Sequence, residues 1–151
     1  MNLAQKHREI VETFGSLPDA EERLRHVLHF GRRWPALAVA RKTEERLLPG
    51  CVSRLWLDPE YRDGRCWFGM EAEAAIAKGM AALLCGFYSG ETPAEIVATE
   101  PDFVAAIDLA ALLSPNRSNS LARLRGHIKA FAVRCLARPD DPVSSTTGNT
   151  S

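Results

Sequence analysis

Four cysteines, at positions 51, 66, 85 and 135, are the residues of this chain best suited to chemistry. No two of them have the short spacing of a zinc knuckle, so each is judged by its own surroundings. Cys66, Cys85 and Cys135 each continue an apolar run or stripe, which predicts that they lie in the core. Cys51 follows a Pro-Gly pair and precedes a β-rich run, so it is predicted at the tip of a loop. A thiol there is either a functional nucleophile or an incidental turn residue.

No other self-contained catalytic site is indicated. The sequence has no glycine-rich phosphate loop, no G-x-S-x-G motif and no H-E-x-x-H motif. Its carboxylates show no obvious inward-facing pair. The histidines fall on predicted helices beside charged residues and are expected to be solvated; they are His7, His26, His29 and His127.

The composition restricts the classes of function. The chain has 151 residues, with 19 Lys and Arg against 19 Asp and Glu, so the basic excess of a nucleic-acid binder is missing. No apolar run reaches the roughly 18 residues of a membrane span, and the polar N-terminus does not resemble a signal peptide. We therefore expect a cytoplasmic protein with no nucleic-acid or membrane partner. A single domain is expected over residues 1–138, followed by a disordered tail over 139–151.

The hydrophobic periodicity predicts helices, then a β-hairpin, then more helices. Strand-like runs at 52–57 and 65–70 flank a turn cluster at 58–64, and the stretch from 36 to 50 has no clear period. This order is typical of an α+β fold rather than of alternating βαβ units. Helices are predicted over 3–14, from 20 to the Trp34-Pro35 pair, and over 73–88, 92–99 and 118–137, with one or two short helices in 101–113 and a loop at 114–117.

Four segments together resemble one known family. Residues 49–56, Pro-Gly-Cys-Val-Ser-Arg-Leu-Trp, resemble the P-G-C-x-S-x-V-W signature of the SufE family of sulfur acceptors. Further segments resemble family motifs in the same order: A-x-I-x-K/R-G at 74–79, Y-x-G-x-T-P-x-E-I at 88–96 and L-S-P-x-R-x-N-G/S-L at 113–121. The resemblance spans about residues 8–135. It departs from the family at 70–73, where Met-Glu-Ala-Glu replaces a common Ser-Asp pair, and at Leu55, which replaces a valine.

The resemblance implies that Cys51 accepts sulfur from the persulfide of a pyridoxal-phosphate-dependent cysteine desulfurase, either SufS-like or CsdA-like. The Cys51 persulfide would supply a downstream iron–sulfur scaffold such as SufBCD, and draining the partner's persulfide would stimulate the desulfurase. The cofactor stays on the partner, so no cofactor and no metal is expected on this chain. The implied protein is an accessory of sulfur transfer rather than a stand-alone enzyme. The implied fold is a small antiparallel β-sheet packed against helices, as in SufE and IscU.

Four further residues are candidates for holding the loop or docking the partner. Gly50 should permit the turn that presents Cys51. Arg117, which matches the arginine of the L-S-P-x-R motif, is expected either to lie near Cys51 or to anchor loop carbonyls. Ser53 either bonds the backbone of the loop or is an ordinary strand serine. Glu73 can supply the acidic residue that suits the start of the following helix.

Other functions remain open beside sulfur transfer. An IscU-like cluster scaffold would need Cys51, Cys66 and another ligand to converge on one cluster. A non-catalytic interaction module would keep the fold without the sulfur transfer, although the intact Cys51 argues against it. A zinc protein is a more distant alternative.

Overall fold

The computed structural model describes residues 1–107 and 114–137, and it has the predicted order of helices, hairpin and helices. This confirms the α+β class. The end of the predicted helical region at 101–113 and the predicted tail over 139–151 lie outside the described residues. The helices are α1 Leu3–Gly15, α2 Ala20–Arg33, α3 Ala75–Tyr88, α4 Pro93–Ala98, α5 Phe103–Ala106 and α6 Pro115–Ala137, and the strands are β1 Leu55–Arg62 and β2 Arg65–Ala72.

The core forms around α3, which is buried along most of its length. Residues 79–85, Phe87 and Tyr88 all lie in the interior. The hairpin, α2 and α6 pack against different sides of this helix. Because most of its faces meet another element, its sequence is apolar nearly all round rather than striped. In the part of the chain that the structure describes, no helix, α3 included, is long and apolar enough to cross a bilayer.

α2 and α3 approach each other through glycines. A Cβ atom on Gly79 would lie 2.2 Å from the carbonyl oxygen of Val27, and one on Gly31 would lie 2.8 Å from the nitrogen of Gly79. Both separations are well below the contact distance of two non-bonded heavy atoms. The observed spacing of the two helices therefore requires glycine at these positions.

Replacing Gly79 by alanine should destabilise the fold. Because the new methyl group would overlap the backbone of α2, we expect the free energy of unfolding to fall by about 1–3 kcal/mol or more. Urea denaturation at constant m-value measures this change. Gly126→Ala is the matched control, since a Cβ there meets nothing within 4 Å, and it should raise the stability by about 0.5–1 kcal/mol. Equal effects of the two substitutions would contradict the glycine-mediated contact.

The hairpin is longer, and its turn is shorter, than the sequence predicts. β1 and β2 pair antiparallel along their whole lengths, and only Asp63 and Gly64 connect them. The φ angles of these two residues are 56° and 77°, as a tight Asp-Gly hairpin turn requires. The predicted antiparallel hairpin is confirmed, but its bounds are wrong, because the first strand begins at 55 rather than 52 and continues through 58–62, which the sequence assigns to the turn.

Pro59 fits inside β1 because of its position in the ladder. It lies opposite Phe68, whose N–H donates to Ser89 Oγ at 3.0 Å and so faces away from β1. In such a non-hydrogen-bonded pair the N–H of the opposite residue also points outward. A proline at this point removes no ladder hydrogen bond.

α6 begins earlier than predicted. Ser114 Oγ accepts a hydrogen bond from Arg117 N at 3.3 Å, and Pro115 occupies the first helical position, where its missing N–H has no effect. The predicted loop over 114–117 is therefore wrong, and Arg117 lies in the first turn of α6. The predicted start of α3 at Glu73 is also early, because the helix begins at Ala75.

Candidate functional site

The loop that contains Cys51 is closed at its base by a backbone hydrogen bond between two buried leucines. Leu48 N donates to Leu55 O at 2.8 Å, and the neighbouring residues Leu47 and Trp56 form an antiparallel bridge. Leu48 and Leu55 are only 4% and 3% exposed. Residues 49–54 are called the Cys51 loop below. The chain leaves the core after Leu48 and returns to it at Leu55, and the hydrogen bond holds these two residues together.

Cys51 is a free thiol in this loop. It is half-buried and packs against the apolar core, whereas its neighbour Val52 is 78% exposed. Ser53 is half-buried and makes no hydrogen bond with any other of the described residues. Solvent can therefore reach the thiol of Cys51, which is the first requirement for a nucleophile. The apolar side chain of Val52 projects outward beside it.

Gly50 forms the turn before Cys51, and its backbone conformation favours glycine there. Its φ is +79°, in the left-handed region that other residues disfavour. A Cβ atom added to Gly50 would lie 2.7 Å from Cζ of Arg123. The guanidinium group of Arg123 therefore packs against the backbone of the Cys51 loop. Arg123 is a site residue that the sequence analysis does not identify.

Arg117 and Arg123 occupy different places along α6. Arg117 is half-buried and lines a small cavity beside Leu55, at the base of the Cys51 loop. Arg123 is the arginine that contacts the turn of the loop. Sequence alone does not distinguish Arg123 from Arg125, whose guanidinium instead binds Glu100 at 3.0 Å. Only the packing of α6 beside the Cys51 loop shows that Arg123, and not Arg125, contacts the loop.

Glu73 holds the C-terminal end of the Cys51 loop through Arg54. Glu73 Oε1 accepts from Arg54 N at 3.3 Å and Oε2 accepts from Arg54 Nε at 3.0 Å, while Glu73 N donates to Arg54 O at 3.0 Å. Glu73 precedes Ala74, the N-cap of α3, and the first turn of that helix has no acidic residue. Glu73 therefore lies just before α3 rather than in its first turn, and its carboxylate pairs with Arg54 of the Cys51 loop.

The other three cysteines are buried, as predicted. Burial raises the pKa of the Cys85 thiol, and burial together with the adjacent Cys135 raises the pKa of Cys66. Burial also raises the pKa of Cys135, whose thiol shares a hydrogen bond with that of Cys66. A thiol with a raised pKa contains little thiolate at neutral pH, so these three cysteines are poor nucleophiles. Cys51 is the cysteine that remains available for chemistry.

The comparison with family models identifies the chain. A model described as SufE, an Fe–S metabolism associated domain, matches residues 8–132. The chain belongs to the SufE family. The match includes the whole Cys51 loop and confirms the resemblance found in the four sequence motifs. It also supports a role for the chain in the sulfur metabolism of iron–sulfur clusters.

Individual relatives agree with this assignment. A SufE-like protein of Synechocystis sp. is 32% identical over 132 residues, which cover 87% of this chain and 80% of that protein. The cysteine desulfuration protein SufE of Plasmodium vivax is 28% identical over 141 residues, which cover 89% of this chain and 56% of that protein. The solution structure of a hypothetical protein from Thermus thermophilus has a TM-score of 0.73 at 22% identity, covering 87% of this chain and 96% of that chain. This structural likeness supports the fold.

The described part of this SufE-family protein does not bring metal ligands together. Within residues 1–107 and 114–137, no group of three or more His, Cys, Asp or Glu side chains could hold a metal ion. Cys66, which the cluster-scaffold hypothesis requires beside Cys51, contacts Cys135 in the core. The convergence that an IscU-like scaffold needs is not found in these two ranges.

The histidines differ more in their surroundings than the sequence predicts. His29 and His127 are exposed as expected, whereas His7 and His26 are half-buried. His26 lines a cavity of about 290 Å³ between α1, α2 and α3, and its ring meets that of Phe14 edge-on at 5.0 Å. Burial and the nearby His29 lower the pKa of His26, so the expectation of a solvated side chain is wrong for this residue.

Alkylation should distinguish Cys51 from the other cysteines of the SufE-family protein. With iodoacetamide at neutral pH we expect Cys51 to react faster than Cys66, Cys85 and Cys135, because burial shields those three thiols and raises their pKa, which lowers the fraction present as thiolate. Peptide mass spectrometry of timed samples gives the four rates. In the Cys51→Ser variant the fast adduct should disappear while the slow ones persist. Labelling of Cys135 as fast as Cys51 would contradict the assignment of Cys51 as the available thiol.

Proposed function

We propose that this SufE-family protein is a sulfur acceptor whose Cys51 takes sulfur from the persulfide of a pyridoxal-phosphate-dependent cysteine desulfurase, SufS-like or CsdA-like. By removing that sulfur, the protein stimulates the desulfurase. It then delivers the sulfur to a scaffold such as SufBCD, where iron–sulfur clusters are assembled. The contrast among the cysteines is the observation that supports this most. Cys51 is reachable on a loop, while Cys66, Cys85 and Cys135 are buried thiols.

The transfer is a thiolate exchange with no net oxidation or reduction. The Cys51 thiolate attacks the outer sulfur of the donor persulfide. A bond forms between Cys51 Sγ and that sulfur, and the bond between that sulfur and the donor cysteine breaks. The outer sulfur keeps its proton, and the donor cysteine leaves as a thiolate. Atoms and charges balance, so the step needs only a reachable Cys51 thiolate and a good leaving group.

The Cys51 loop suits this reaction because its ends are held and its thiol is partly covered. The Leu48–Leu55 hydrogen bond and the Arg54–Glu73 contacts fix the two ends. Packing of Cys51 against the core protects the thiol from oxidation, to which exposed reactive cysteines are susceptible. Docking then has to turn the thiol outward, and the exposed Val52 offers an apolar contact at the entrance of the donor's active site.

Two comparisons support the two halves of the proposal. The name of the Plasmodium vivax relative, a cysteine desulfuration protein, supports a desulfurase as the donor. The description of the family model, an Fe–S metabolism associated domain, supports cluster assembly as the destination. The chemistry needs no cofactor on this chain, because pyridoxal phosphate generates the persulfide on the desulfurase. We propose a cytoplasmic location, where four free thiols stay reduced.

Intact mass spectrometry tests the proposal. The protein is incubated with a SufS-like or CsdA-like desulfurase, pyridoxal phosphate and L-cysteine, without reductant. We expect the mass to rise by one or more sulfur atoms, located on Cys51 by peptide mapping, because the persulfide forms on the nucleophilic thiol. The rate of alanine production by the desulfurase should rise at the same time, since the acceptor clears its persulfide.

Matched cysteine variants supply the controls for this experiment. Cys51→Ser should take up no sulfur and should not stimulate the desulfurase. Cys135→Ser should behave as wild type, because that thiol is buried beside Cys66. Sulfur uptake by folded Cys51→Ser, or no uptake by wild type from either kind of desulfurase, would contradict the proposed function. The second result, with binding to the desulfurase retained, would favour a non-catalytic interaction module.

A further inference from the structure

The side of α6 that borders the Cys51 loop presents a row of basic residues. Arg123, His127 and Arg134 are separated by four and seven positions, so on a helix of 3.6 residues per turn they share one face. All three are exposed, and so is Ala130 between the last two. The residues Arg123, His127, Ala130 and Arg134 are called the α6 stripe below. Arg123, at one end, contacts Gly50, so the stripe starts at the loop.

The α6 stripe forms one wall of a polar groove. The groove has a volume of about 430 Å³, and His127 and Arg134 line it on the α6 side. Residues 45–48 line it on the other side, and Leu57 and Pro59 of β1 also border it. Since Leu48 closes the base of the Cys51 loop, the groove leads away from the loop along α6. At 1.5 Å per residue, the stripe is about 16 Å long.

The charge of the stripe is not balanced within the described residues. No carboxylate in 1–107 or 114–137 forms an ion pair with Arg123, His127 or Arg134. In contrast, Arg125 and Lys129, elsewhere on the same helix, both bind Glu100.

The groove itself contains little negative charge. Arg46 on the opposite wall is held by Asp58 at 2.9 Å, which leaves Glu45 as the acid among the lining residues. Arg123 and Arg134 form no ion pair with any carboxylate of the described residues, and a surface that carries such positive charges complements carboxylates.

The geometry points to the α6 stripe and its groove as the docking site for an acidic segment of the sulfur donor. This inference rests on the proposed function, because a protein that brings a persulfide to Cys51 has to cover the Cys51 loop. The surface that it meets on the α6 side of the loop is cationic, so carboxylates on the donor would be favoured there. Such complementarity raises the association rate and fixes the orientation of the two proteins.

Charge reversal with two kinds of sulfur donor tests this inference. Arg134→Glu changes the end of the stripe farthest from the loop, and Arg8→Glu makes the same change at an exposed position on α1. The rate of persulfide formation on Cys51 is measured with the desulfurase and with glutathione persulfide, which has no docking surface. Arg134→Glu should slow transfer from the desulfurase about tenfold at low salt. The effect should shrink near 1 M salt, where the Debye length is about 3 Å.

The controls separate docking from chemistry. Arg134→Glu should accept sulfur from glutathione persulfide at the wild-type rate, and Arg8→Glu should match wild type with both donors. The inference would be overturned if Arg134→Glu and Arg8→Glu changed the rate of transfer from the desulfurase equally. It would also be overturned if Arg134→Glu slowed transfer from the desulfurase and from glutathione persulfide equally.

A wild-type protein that accepts sulfur from glutathione persulfide but from no desulfurase would contradict the proposed function instead. The stripe is then tested by binding of a fluorescein-labelled glutamate-rich peptide. Tighter binding to wild type than to Arg134→Glu would support a site for acidic segments, and equal binding would overturn it.

Discussion

The backbone hydrogen bond from Leu48 N to Leu55 O, at 2.8 Å, is the constraint on which the site depends. It lies between two buried residues, where an unmade hydrogen bond would cost about 1–3 kcal/mol, so the base of the Cys51 loop resists opening. It also lies at the start of β1, since Leu55 is both the closing residue of the loop and the first residue of the strand. The position of Cys51 is therefore set by the hairpin, and the thiol itself is left partly accessible.

The hairpin is in turn anchored by the turn that follows α3. Cys66 N donates to Glu91 O at 2.9 Å and Gly90 N donates to Cys66 O at 2.7 Å, so this turn pairs with β2 as a short extra strand. Lys6 fixes the same turn, because its Nζ donates to three carbonyl oxygens at the C-terminal end of α3 and lies 2.8 Å from the buried carboxylate of Glu91. A two-stranded hairpin alone is marginal in water. These contacts explain how such a small sheet supports a fixed loop base.

Local sequence signals predict the site better than they predict the elements around it. The Pro-Gly pair indicates a loop at Cys51, and apolar periodicity indicates buried cysteines elsewhere, because both effects act over a few residues. Pro59 and Pro115 suggest a turn and a loop, but the effect of a proline depends on strand pairing and helix capping. The contact of Arg123 with Gly50 joins residues far apart in the chain. No local pattern encodes it, so it emerges only from the packing of α6.

Native-state hydrogen exchange of the free protein tests most directly the central claim, that the Cys51 loop has a fixed base and a releasable tip. The amide of Leu48 should exchange as slowly as amides in the middle of α3, such as that of Leu83, because its hydrogen bond is buried. The amide of Val52, at the exposed tip, should exchange orders of magnitude faster. An amide of Leu48 that exchanged as fast as that of Val52 would show that base and tip open together, and would contradict the account.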